Sequence, residues 1–233
     1  MTINWRHTLL DIRPHLDLCC WTPADATELI GAAGTAARMG IPRISVAAAS
    51  VPAVWSWLEK SPVALSAMVA WNSAKMGTAD LVREITLPLK RGADQVQLYA
   101  KWKDLPKLSD ALREIRDEIF FDKKLSLALS LDDVPYNGWL DAFKYAKELR
   151  ADNIMLIAKS IKTLDSKYFN FLDSLEGGEP WGVEACVASD AVKPLEDIFR
   201  LTKKMLPDGM GKLRIIVRPE FMKNYAEDAH EDL

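Results

Sequence analysis

The sequence predicts an α/β chain folded as a single (β/α)8 TIM barrel, and three observations carry that prediction. Short apolar runs rich in β-formers alternate eight times with longer segments whose apolar residues recur at helical spacing. The helices run into the next strand after very short turns, so the strands are parallel neighbours joined by crossovers. The 233 residues hold eight such units within the roughly 200–250 residues of a compact closed barrel. An open doubly wound sheet is the runner-up.

The predicted strands are 16–20, 43–47, 64–70, 95–101, 124–131, 153–159, 182–188 and 213–218. The predicted helices between them are 24–39, 51–60, 79–91, 107–120, 138–150, 166–175 and 192–205. Asp25 and Thr78 stand where helix caps are needed, and Ser166 suits the same role. Gly40 and Gly92 end helices, with Pro42 just beyond the first. In 107–120 the apolar residues Leu108, Leu112, Ile115 and Ile119 share one face, and Arg113, Glu114, Arg116 and Asp117 fill the other. The barrel is expected to occupy 1–221, and 222–233 is an acidic C-terminal tail.

Composition excludes several classes. Hydrophobic residues make up 49% and charged residues 27%, which supports a packed core and excludes a disordered chain. Lys and Arg number 30 against 33 Asp and Glu, so the net charge of -3 gives no overall attraction to nucleic acid or anionic lipid. Three cysteines make no disulfide scaffold, and adjacent Cys19 and Cys20 have no zinc-site spacing. Free thiols suit a reducing cytoplasm. The first residues carry no apolar signal core. The longest apolar stretch, 44–58, is interrupted by Pro52 and three serines and is too short to span a bilayer. A soluble cytoplasmic protein with no membrane partner is expected.

Strand alternation sorts side chains into two faces. Val96, Leu98 and Ala100 oppose Gln97, Tyr99 and Lys101; Ile154, Leu156 and Ala158 oppose Met155, Ile157 and Lys159. Val183, Ala185 and Val187 oppose Glu184 and Cys186; Ile215 and Val217 oppose Arg214, Ile216 and Arg218; Leu16 and Leu18 oppose Asp17 and Cys19. The apolar sets are expected to meet the helices and the mixed sets the barrel axis. Asp17, Lys101, Lys159, Glu184 and Arg218 then lie in or above the interior, three of them at strand C-terminal ends, where such barrels carry their sites. Buried charges must pair or face a polar pocket.

Several stretches carry a family likeness. His15-Leu16-Asp17-Leu18 is similar to a first-strand pattern with Asp-Leu-Thr, and Ile44-Ser45-Val46 followed by Val51-Pro52 to a second strand that reads Cys-Val and then Pro. Gly92-Ala93-Asp94-Gln95-Val96-Gln97 is similar to GADEVD, Ala151-Asp152-Asn153-Ile154 to ADFI, and Val183-Glu184-Ala185 to VKAS. On these motifs, in this order and over nearly the whole length, the chain resembles deoxyribose-phosphate aldolase, a class I Schiff-base aldolase with a TIM barrel.

The resemblance places the Schiff-base lysine at Met155, the second lysine at Glu184 and the proton-transfer aspartate at Gln97. Of that charged set only Asp17 remains. The Gly-Gly after strand seven is Val187-Ala188, and the Gly-Ser-Ser after strand eight is replaced around Arg218-Pro219, so the family's backbone phosphate cradle is missing.

Two functions follow as expectations. One is a divergent lyase acting on a small anionic carbonyl or sugar-phosphate compound. Lys159 or Lys101 would be its amine, Asp17 and Glu184 its proton-transfer or orienting groups, and Arg218 its anion clamp. Gln97, Tyr99 and Met155 would complete the substrate site. The other is a catalytically inactive barrel that binds a metabolite or a partner protein. No cofactor is expected. Asp132-Asp133 reads as a loop rather than a metal site, since His7, His15 and His230 all lie near the termini. Barrels of this kind commonly form dimers, which leaves a homodimer open.

Overall fold

The computed structural model describes residues 12–23, 25–113, 116, 122–158, 161–175, 181–187 and 192–222. Its strands are β1 (Leu16–Cys20), β2 (Arg43–Ala47), β3 (Ala64–Ala70), β4 (Gln95–Tyr99), β5 (Lys124–Ser130), β6 (Asn153–Ala158), β7 (Gly182–Val187) and β8 (Arg214–Val217). Helices α1 (Ala26–Met39), α2 (Val51–Leu58), α3 (Thr78–Lys90), α4 (Leu105–Leu112), α5 (Trp139–Glu148), α6 (Ile161–Ser174) and α7 (Val192–Met205) follow β1 to β7 in turn. The strands pair in sequence order as a closed parallel barrel. Closure is made by β1 against β8, with Leu16 opposite Ile215, Asp17 opposite Ile216 and Leu18 opposite Val217. That pairing excludes the open sheet.

Local chemistry explains the helix ends. Asp25 accepts a hydrogen bond from the Glu28 backbone N–H at 2.9 Å and so caps α1. Gly40 ends α1 at φ 63°, a left-handed conformation that glycine takes without a Cβ clash. Gly92 has φ 108°, and a Cβ there would stand 2.3 Å from the Trp55 ring. Helix α4 begins at Leu105, earlier than the sequence spacing predicts, because Pro106 suits a first helical turn. Helix α6 begins at Ile161 rather than 166. The predicted tail lies outside the described residues beyond Met222.

The division of faces is as expected. Leu16, Leu18, Ile44, Val46, Val96, Leu98, Ile154, Leu156, Val183, Ile215 and Val217 are buried in one continuous core with the inner faces of the helices. Burying each such side chain contributes about 1.5–3 kcal/mol. A second, separate cluster fills the barrel axis: Cys19, Ala128, Met155, Cys186 and Ile216. Among the described residues no helix is long and apolar enough to cross a membrane.

Candidate functional site

The barrel interior has two levels. The level nearer the strand starts is polar. Glu184, the third residue of β7, is fully buried and accepts three hydrogen bonds: from Arg43 Nη1 at 2.9 Å, Gln95 Nε2 at 2.7 Å and Gln97 Nε2 at 2.8 Å. Gln97 in turn accepts from the Ser45 hydroxyl, and Ser45 accepts from Trp21 Nε1 at 2.7 Å. Arg43 also stands 3.7 Å from Asp17 Oδ2. Burial pulls the Arg43 pKa down, but the Asp17 and Glu184 carboxylates outweigh it and the net shift is upward. Glu184 is therefore held by an arginine and two amides.

Asp17 is different. It is fully buried, and neither oxygen has a hydrogen-bond donor among the described residues. Burial raises its pKa to about 7; Arg43 and Arg214 oppose the shift and Glu184 adds to it. Removing a carboxylate from water disfavours its charged form, and one ion-pair contact does not restore it.

Above this level the interior is apolar. Met155 is 0% exposed and packs with Cys19, Ala128, Cys186 and Ile216, with Trp21, Met68, Tyr99 and Ile157 around them. Tyr99 donates to Asp133 Oδ2 at 3.4 Å, and burial, then Asp133, raises its pKa. The Asp132–Asp133 turn thus serves Tyr99, and α5 begins at Trp139 after the N-cap Gly138, without a side-chain cap. Among the described residues no group of three or more His, Cys, Asp and Glu is placed to hold a metal.

A cavity of about 420 Å³ opens on this apolar level at the C-terminal mouth. Trp21, Ile157, Cys186 and Arg218 line it, with Glu28 and Glu220 at its rim. Cys186 is raised well above its usual pKa by its hydrogen bond with Cys19 and by burial, which Arg218 offsets only in part. Burial pushes Cys20 up to about 11. Both thiols stay protonated near neutral pH and are poor nucleophiles.

Of the predicted site residues among the described residues, Arg218 alone lines this cavity. Gln97 lies in the polar level, and Met155 and Tyr99 lie in the apolar plug. Asp17 and Glu184 come together with Arg43 near the strand starts, beneath the plug rather than at the mouth. Lys101 lies past the end of β4, exposed, before the short turn Trp102–Asp104, and does not line the cavity. Lys159 lies outside the described residues. Sequence reasoning missed Arg43 and Gln95. Both were findable, since each shares strand parity with an inward residue, Arg43 with Ser45 and Gln95 with Gln97.

No family model matches the chain, and no curated protein matches it. Solved structures do. A protein from Toxoplasma gondii ME49 assigned as a deoxyribose-phosphate aldolase superposes at TM-score 0.76 with 17% identity, over 99% of this chain and 96% of that one. The deoxyribose phosphate aldolase from Aeropyrum pernix gives TM-score 0.71 with 12% identity, over 97% of both chains. The fold is that of the deoxyribose-phosphate aldolases. The N-acetylmannosamine-6-phosphate 2-epimerase from Clostridium perfringens is a more distant barrel, at TM-score 0.57 and 13% identity over 97% of this chain and 96% of that one. At these identities the likeness is one of fold.

Proposed function

We propose that this chain is a metabolite-binding barrel of aldolase fold that does not use imine chemistry. Its ligand is a small molecule with one anionic group, paired by Arg218, and an apolar part that meets Trp21 and Ile157. The observation that supports this reading best is the state of the Schiff-base position. Met155 stands there, has no amine, and is sealed in an apolar plug. An imine also needs a nearby acid or base to move its protons. Glu184 is already engaged by three donors, and Asp17 lies beneath the plug. Lys101 is exposed beyond β4 and is not part of the cavity lining.

The test is borohydride trapping read by intact mass, beside a working class I aldolase. The protein is incubated with deoxyribose 5-phosphate and then with small aldehydes and keto acids. The expected result is no adduct from folded protein, together with thermal stabilisation by a small carboxylate or phosphate ester that Arg218→Ala abolishes. A stoichiometric adduct on Lys159 or Lys101 would overturn the reading in favour of a divergent lyase. Stabilisation that survives Arg218→Ala would remove the assigned anion clamp.

A further inference from the structure

We propose that the opposite, N-terminal mouth of the barrel is a binding site for a compact phosphate-class anion. This inference is independent of the function proposed above. The first residues of four strands meet there: Arg43 opens β2, Lys124 β5, Asn153 β6 and Arg214 β8. Together with Lys212 from the 3-10 turn Pro207–Lys212 they line a cavity of about 340 Å³. Four cationic side chains thus converge on one recess.

Among the described residues the recess is lined by one carboxylate, Asp152, and that group is already engaged. Its Oδ2 accepts from the Leu125 backbone N–H at 2.8 Å and lies 3.5 Å from Arg116 Nη2. Arg43 points Nη1 inward to Glu184, yet its side chain keeps 12% exposure and lines the cavity. Arg214 donates Nη1 to the Pro14 carbonyl at 2.6 Å, which uses one of its five N–H donors. The Lys124 ammonium makes no ion pair or hydrogen bond among the described residues. Glu184 and Asp17 offset Arg43, and Lys212 has a contact of its own, so the Lys124 ammonium is the charge that an added anion meets first, with the other cations of the recess adding to its field.

The shape of the recess narrows the ligand. Beside the lining residue Trp181, Gly182 leaves Asn153 and Lys212 the room they occupy: a Cβ there would stand 2.2 Å from Asn153 Oδ1 and 3.1 Å from the Lys212 carbonyl. Two arginine forks and two lysine point charges suit a tetrahedral group of several oxygens and more than one charge. A cavity of this size takes a small molecule, and the net charge of -3 gives no field to draw a polyanion.

The test is isothermal titration of the full chain with inorganic phosphate and with pyrophosphate at low ionic strength. One-site binding is expected, tighter for pyrophosphate and weakened by added salt. The double charge reversal Lys124→Glu with Lys212→Glu should weaken it at least about tenfold, since two of four cations are inverted. The control pair Lys75→Glu with Lys103→Glu changes net charge equally at exposed positions toward the other mouth, and should change affinity less than about threefold. Circular dichroism establishes that each variant is folded. No binding to the folded native chain, or equal weakening by both pairs, overturns the proposal.

Discussion

The two mouths of this barrel carry opposite chemistry. The C-terminal mouth has an apolar floor of protonated thiols and an isoleucine, with Arg218, Glu28 and Glu220 around it. The N-terminal mouth is ringed by cations and continues inward into the Arg43–Glu184–Asp17 group. Strand parity gives both ends the same inward faces, so parity does not separate them. Height along the strand does: on β1 and β7 the buried carboxylates Asp17 and Glu184 come first, and the plug residues Cys19 and Cys186 follow two positions later, nearer the C-terminal ends. The difference teaches that an inward charge serves a mouth only if its height reaches it.

The largest expected effect tests the polar level. Glu184→Ala leaves Arg43 with only the 3.7 Å contact to Asp17 and strips two buried amides of their acceptor. Breaking a buried pair in this way costs roughly 3–5 kcal/mol. Urea denaturation reads it. A loss below about 1 kcal/mol is the range of an exposed ion pair and would mean that water enters this level.

Asp17 sharpens the comparison through pH. Its carboxyl titrates near 3.8 when unfolded and at about 7 in the fold. Below the first value both states hold the proton. Between the two values only the folded state holds it, so stability falls as pH rises through this window and levels off above it. A shift of that size corresponds to about 4 kcal/mol. Stability measured at pH 5 and pH 8 should therefore differ in the native chain, and Asp17→Asn should remove most of the difference. An equal pH dependence in the variant would assign the loss to another group.

Most of the fold was legible in the sequence, because a barrel repeats one pattern and each repeat confirms the last. The eight strands, the short turns at Gly40 and Gly92, and the division into helix-facing and axis-facing residues all follow from local spacing. The candidate site was less legible. Lys101 has inward parity, but β4 stops at Tyr99 and the chain turns away before that side chain can use it. Arg43, the partner of Glu184, is 141 residues distant in sequence, and only barrel closure brings the two together. Register across non-neighbouring strands is a tertiary quantity that spacing along one strand does not encode.

Met155 gives the smallest effect and the one that separates plug from binding residue. Its side chain fills space among Cys19, Ala128, Cys186 and Ile216 without exposure to the cavity. Met155→Ala should cost about 3 kcal/mol through lost transfer energy and the void left behind. Met155→Leu keeps the volume and should cost less than about 1.5 kcal/mol. Both variants should leave unchanged the affinity for any small anion that Arg218 holds, because the plug supports the cavity floor from below. A ligand whose affinity drops with Met155→Leu at unchanged stability would show instead that the methionine touches it. The apolar level would then be part of the C-terminal site rather than its foundation.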